Sequence, residues 1–412
     1  MPLLIPNPPC PLSCSLMFSR RTEWKLTPNR FSQVQQELIA SGRELLDLTI
    51  SNPTRAGIPY DAESILGSLQ NLAALDYDPQ PKGLLSARQG VAAYYREQHG
   101  VVDIDPEALL LTTSTSEAYS SVFRLLCNPD DQILVPAPSY PLFEFLAILH
   151  DVKLASYPLI YDHGWQIDFP SLYGAVNHRT RAVLVVHPNN PTGSFVRPDE
   201  IGLLNRFCRE HNLALIADEV FLDYPHDGKP RQTFACNRDV LTFTLSGLSK
   251  ISGLPQMKVA WVGTSGPKNQ VGDALARLEV IADTYLSMNA PIQLATPVLL
   301  EQRKTFQPRL LDHLRINLEE LNRQLTRQTA CSLLQLEGGW HAVVRVPVTH
   351  LDEDLAVNLL QNSSVVVHPG TFYDFPADGY LVVSLITPTA NFREGINRVL
   401  NYVAPRQIRA VT

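Results

Sequence analysis

The sequence predicts an α/β protein: a large domain on a mainly parallel, helix-covered sheet, joined to a smaller α/β domain. Short, continuously apolar runs recur from about Arg181 onward, at residues 182–186, 213–217, 240–245 and 259–262. Hydrophobicity that is unbroken rather than alternating suits strands covered on both faces. Each run ends in a polar cluster and leads into a longer helix-compatible stretch, the rhythm of a sheet with helices on each side. After about Asn289 the pattern changes to a long helical region through Gln328, then to short strands around 341–346, 364–367 and 380–385. That change marks the smaller unit.

Taken in order, the first 16 residues hold five prolines and read as a disordered extension without a useful helix. Residues 17–60 are expected to form an N-terminal arm contributing to the small domain, 61–290 the large domain and 291–412 the small one. An earlier strand is expected at 133–135. In sheets of this kind ligands collect beyond the carboxyl ends of the strands, so the residues after each run are the ones to inspect for chemistry.

The bulk numbers exclude several classes. Lys and Arg total 34 against 41 Asp and Glu, a formal charge of −7 with no block of like charge, which recommends neither nucleic acid nor an anionic membrane as partner. Cys10, Cys14, Cys127, Cys208, Cys236 and Cys331 form no C-x-x-C pair, so no metal site or disulfide framework is indicated and a cytoplasmic setting fits best. No apolar stretch approaches the roughly 18 residues of a membrane span.

Three segments directly after the runs carry chemistry. Ser246-Gly247-Leu248-Ser249-Lys250 follows the third run, and Lys258 lies eight residues beyond Lys250. His187-Pro188-Asn189-Asn190-Pro191-Thr192-Gly193 follows the first, and Asp218-Glu219-Val220-Phe221 the second. Each has a plain reading: a solvated lysine, a turn rich in turn-forming residues, and a helix N-cap at Asp218. Ser114-Thr115-Ser116-Glu117 reads as an S-x-x-E capping box, and equally as a helix N-terminus offering free amides to an anion.

Together, in this order and spacing, these segments resemble the aspartate-aminotransferase-like class I/II aminotransferases, the fold type I enzymes that use pyridoxal 5'-phosphate. The resemblance covers about residues 45–400. It implies that Lys250 holds the cofactor as a Schiff base and serves as the base, a role that needs its pKa lowered by burial. It further implies that Asp218 faces the pyridine nitrogen, that Asn190 donates to the ring oxygen and that Tyr140 stacks on the ring. Ser114, Thr115, Ser116, Ser249 and Lys258 would bind the phosphate. Tyr77 would reach the phosphate of a neighbouring subunit, making the enzyme a homodimer with a shared site.

Four positions depart from the family pattern. Lys258 stands where an arginine is common and lacks its bidentate fork. Gly247 replaces a phosphate-binding serine. Phe221 replaces a tyrosine whose hydroxyl bonds the ring oxygen, so the cofactor linkage is expected to titrate at higher pH than in relatives with the tyrosine. Val382 occupies the position of the arginine that grips a substrate α-carboxylate in two parallel hydrogen bonds. Arg345, Arg393 and Arg55 are the candidate replacements, and the alternative is a substrate with no α-carboxylate. Asn52, in the loop meeting substrate, and Trp340, as pocket wall or core residue, complete the expected site. The implied activity is amino-group transfer between an amino acid or amine and a 2-oxo acid. A lyase or decarboxylase of the same fold shares these motifs. A non-catalytic sensor domain is the other rival, although only about 45 residues precede the fold.

Overall fold

The computed structural model describes residues 17–403; the predicted extension at 1–16 lies outside them. Among the described residues, a short strand β1 (Leu46–Asp47) precedes the eight strands of the large sheet: β2 (Leu109–Thr112), β3 (Gln132–Ala137), β4 (Lys153–Tyr161), β5 (Trp165–Ile167), β6 (Thr180–Val186), β7 (Ala214–Asp218), β8 (Thr242–Gly247) and β9 (Ala260–Ser265). Their spatial order is β2-β9-β8-β7-β6-β3-β4-β5. The pairs linking β8, β7, β6, β3 and β4 are all parallel. Strand β9 runs against both β8 and β2, and β5 runs against β4. Six strands therefore point their carboxyl ends to one edge.

The continuous apolar runs make this sheet because each strand is covered twice. From β6, Ala182, Leu184 and Val186 face a core shared with Ala118, Val122 and Phe123 of the helix Thr115–Leu126. Val183 and Val185 face the opposite core with Leu204 and Phe207 of the helix Pro198–His211. Alternate side chains thus enter two cores, and the strand has no solvent face to mark with polar residues.

The long helical region resolves into two helices, Ala290–Glu301 and Arg303–Leu325. The remaining strands are β10 (Ser332–Leu333), β11 (His341–Arg345), β12 (Val365–Val366), β13 (His368–Pro369) and β14 (Tyr380–Ser384). Strands β10, β11, β14 and β13 form a four-stranded antiparallel sheet, while β1 pairs with β12 in parallel. Ser384 N–H donates to Leu48 O at 2.7 Å, so the segment around β1 is stitched to the C-terminal unit. Among the described residues no helix is long and apolar enough to cross a membrane.

Candidate active site

The strand order sorts the predicted site residues along one sheet edge. Thr112, Ala260 and Gly247 are successive cross-strand partners, with neighbouring strands about 4.8 Å apart. Ser114, Lys258 and Lys250 consequently emerge side by side from β2, β9 and β8. On the other side of Lys250 come Asp218 at the end of β7, then Asn190 after β6, then Tyr140 after β3.

Lys250 lies in the short helix Leu248–Ile251 that continues β8. Its backbone is fixed by Tyr224, whose hydroxyl donates to Lys250 O at 2.5 Å. Lys250 Nζ sits 4.7 Å above the Trp340 ring and 5.4 Å from the Phe221 ring. It also donates to Ser51 O at 3.4 Å. Burial disfavours the ammonium and pushes its pKa down to about 8, against the opposing pull of Asp218.

Asp218 is buried and accepts hydrogen bonds from Tyr119 Oη at 2.7 Å and from Val220 N at 3.1 Å. Desolvation raises its pKa, while the two donors and the charge of Lys250 act the other way. Phe221 packs edge-on to Trp340, with ring centroids 5.2 Å apart, and Tyr224 touches the same indole from another side at 5.2 Å. Trp340 is therefore both a core residue and the floor beneath Lys250, with its indole Nε1 buried and unpartnered among the described residues.

Ser114 caps the helix Thr115–Leu126, its Oγ accepting from Glu117 N at 3.2 Å. Glu117 reaches back to Thr113 N at 2.7 Å instead of to Ser114 N, a capping box displaced by one residue. Thr115 and Ser116 open that helix at its positive end. Lys258 is exposed, in a left-handed conformation with φ 53°, and makes no ion pair among the described residues. Ser249 is half-buried beside Lys250, and Tyr77 is 80% exposed. Tyr140 is half-buried, and the adjacent Ser139 N donates to Tyr373 O at 2.9 Å.

Gly247 has a steric reason: a Cβ there would lie 2.8 Å from Val259 O, so a serine would not fit. Asn52 is exposed, and its Oδ1 is used by Thr54 N at 3.1 Å and Thr54 Oγ1 at 2.8 Å, so it stiffens the loop that carries Ser51.

Two predicted substrate residues are not brought to the site. Arg345 ends β11 opposite Tyr380, exposed and about 13 Å along the strand from His341. Arg393 lies on the helix Thr389–Val403, 61% exposed and 3.6 Å from Glu320. Neither can clamp a group beside Lys250. The sequence reading missed Tyr119, Tyr224 and His341. Only His341 carried a local signal, following Trp340 at the start of a strand. Tyr119 and Tyr224 reach the site through tertiary packing.

The chain has relatives among known proteins. The chain is similar to glutamate-pyruvate aminotransferase AlaA of Haemophilus influenzae, 25% identical over 88% of this chain and 91% of that protein. It is 27% identical to an alanine aminotransferase of Mycobacterium bovis over 89% of this chain and 87% of the other. In solved structures it resembles in fold an alanine aminotransferase from Pyrococcus furiosus, with TM-score 0.84, 22% identity and coverage of 94% and 99%. A sequence model of Aminotransferase class I and II matches residues 74–399, well over half the chain, and the chain belongs to that family.

Proposed function

We propose that this aminotransferase works with pyridoxal 5'-phosphate bound along the sheet edge, moving an amino group between an amino acid or amine and a 2-oxo acid. The observation that carries this reading is the Lys250 amine with its pKa near 8, one strand away from the buried carboxylate of Asp218. When bound, the cofactor supplies an electron sink for the bond broken at the substrate α-carbon.

The residues present fit that group. Among the described residues Asn190 Oδ1 is buried without a partner, and rotating the amide turns either its donor or its acceptor end to a ligand. Asp218 keeps its carboxylate oriented through Tyr119 and Val220 and would hold a proton on a ring nitrogen. Ser114, Thr115 and Ser116 would take the phosphate at the helix N-terminus, with Ser249 and Lys258 adding a hydroxyl and a charge. Lys250 would anchor the group covalently and, once released, move a proton to and from the substrate carbon. Trp340 and Phe221 exclude water beneath its amine. Tyr140 would cover the ring.

The active unit is proposed to be a homodimer. Leu72, Leu75 and Tyr77 are 85%, 85% and 80% exposed in one short segment, an apolar surface that supports burial against a second subunit. The described cysteines are free, which supports a cytoplasmic setting.

The test is the absorbance spectrum of the purified protein with pyridoxal phosphate, followed as amino acids and simple amines are added singly. Conversion to the pyridoxamine band with release of the matching carbonyl compound supports the reading. A visible band that no donor converts favours a lyase or a sensor, and no band at all contradicts the proposal.

A further inference from the structure

The wall opposite Lys250 has unusual chemistry for a site that handles amino acids. Val382, at the position where related enzymes carry the carboxylate-gripping arginine, is 1% exposed in the middle of β14. Its cross-strand partners are Val343 on β11 and His368 on β13, and His341 pairs with Ser384. Directly opposed residues share a sheet face, as do residues two apart. His341, Val343, Val382, Ser384 and His368 therefore line one face. The His341 ring, 6.4 Å from that of Phe221, brings the His341 end of this face beside the site, and the charge of Lys250 adds to burial in lowering the His341 pKa.

The polar groups on this face are not equally free. Ser384 Oγ donates to Ile50 O. His368 Nδ1 lies 3.1 Å from Tyr373 Oη. His341 is only 8% exposed, yet neither ring nitrogen has a hydrogen-bond partner among the described residues. Burial and the neighbouring Lys250 and His368 push its pKa down to about 3, so the imidazole is neutral. A carboxylate turned to this wall would lose its water and meet no cation, which is unfavourable in a buried place. An uncharged hydroxyl or amide would lose less and regain a hydrogen bond from the imidazole.

Resting on the aminotransferase reading above, we propose that His341 is a specificity-determining residue. It hydrogen-bonds an amino donor that presents a neutral hydroxyl or carboxamide, rather than a carboxylate, to the Val343–Val382 face. The donor class is 2-amino alcohols and amino amides, and a 2-oxo acid acceptor would have to turn its carboxylate away from this face. Val382 discriminates by omission, since it supplies no positive charge to offset an acid. Arg55 is the rival anchor: it is exposed on the 3-10 turn Pro53–Arg55, makes no ion pair among the described residues, and follows Ser51, which contacts Lys250.

The test uses the cofactor-loaded enzyme and calorimetry with two ligands that lack an α-hydrogen and so bind without amino transfer: 2-amino-2-methylpropan-1-ol and 2-methylalanine. Wild type is expected to bind the alcohol at least about tenfold more tightly than the acid, the worth of one hydrogen bond plus the avoided burial of a charge. Val382→Arg is expected to reverse that order. His341→Phe should weaken the alcohol about tenfold without changing the cofactor absorbance, and His341→Asn should restore most of the loss, which a purely structural histidine would not show.

Tighter binding of the acid by wild type overturns the proposal. If Arg55→Ala abolishes that preference, Arg55 is the clamp. If acid binding takes up a proton, read from buffers of different ionisation heat, a protonated imidazole is the clamp. Binding of neither ligand also overturns it. Failure of the visible cofactor band to form would overturn the aminotransferase reading as well, and the two failures are thereby distinct.

Discussion

At the scale of single residues, burial acts oppositely on the two charged groups at the sheet edge, making Lys250 easier to deprotonate and Asp218 harder. With a pKa near 8 instead of the ordinary 10.5, Lys250 holds about three-hundred-fold more neutral amine at pH 7 than an exposed lysine. Labelling of the cofactor-free protein by trinitrobenzenesulfonate at Lys250 should therefore rise about tenfold per unit below pH 8 and level off above it; a rise continuing past pH 10 would show an unshifted lysine. Tyr119→Phe removes the 2.7 Å hydrogen bond to Asp218. The expected cost is about 1.5–3 kcal/mol in urea unfolding at pH 7, the range for a bond to a charged group. That cost should shrink as pH falls and Asp218 protonates, because Tyr119 holds the folded-state carboxylate pKa below where burial alone would put it. Phe221 offers no hydroxyl to the ring oxygen of a bound cofactor. Phe221→Tyr should shift the pH midpoint of the visible band downward, and an unchanged or raised midpoint would contradict that placement.

At the scale of elements, β6, β7 and β8 were legible because they are buried on both faces and spell that burial as unbroken apolar runs. Strand β4 was not, since its residues are mostly half-buried or exposed and look like neither template. The direction of β9 was also hidden: its run at 259–262 is as apolar as its neighbours, and hydrophobicity carries no sign for parallel or antiparallel pairing. The turn after β6 is more constrained than its turn-forming composition conveys. Gly193 has φ 69°, and a Cβ on it would lie 2.1 Å from Leu336 Cδ1 and 2.4 Å from Gly338 O. Gly193→Ala should cost at least about 2 kcal/mol by urea denaturation, from backbone strain and overpacking. Gly202→Ala, where no described residue lies within 4 Å on an exposed helix position, should be neutral or stabilising by up to about 1 kcal/mol. Equal effects at the two glycines would remove the argument for a braced turn.

At the scale of the whole molecule, the site is assembled from segments far apart in the chain: Ser51, Ser114, Tyr140, Asn190, Asp218, Lys250 and Trp340. The residues proposed to face the cofactor were legible as a group because each stands at a strand end in a recognisable local pattern. Those proposed to face the substrate were not, because which residues face Val382 is set by the register of β11, β13 and β14, and register is not written in any one strand. Arginines chosen by type and neighbourhood, Arg345 and Arg393, accordingly fell on the surface. The exposed segment holding Leu72, Leu75 and Tyr77 belongs to this scale too. If it meets a second subunit, Tyr77→Phe should weaken pyridoxal phosphate binding about tenfold, the worth of one charge-assisted hydrogen bond, without changing the dimer mass in sedimentation.

The central claim is that Lys250 is the residue to which the cofactor is joined. Its most direct test is reduction of the cofactor-loaded protein with borohydride, followed by proteolysis and mass mapping of the modified peptide. The prediction is a single phosphopyridoxyl adduct on Lys250, absent from Lys250→Ala. An adduct on Lys258 or any other lysine in the wild-type protein, or none at all, would contradict the account.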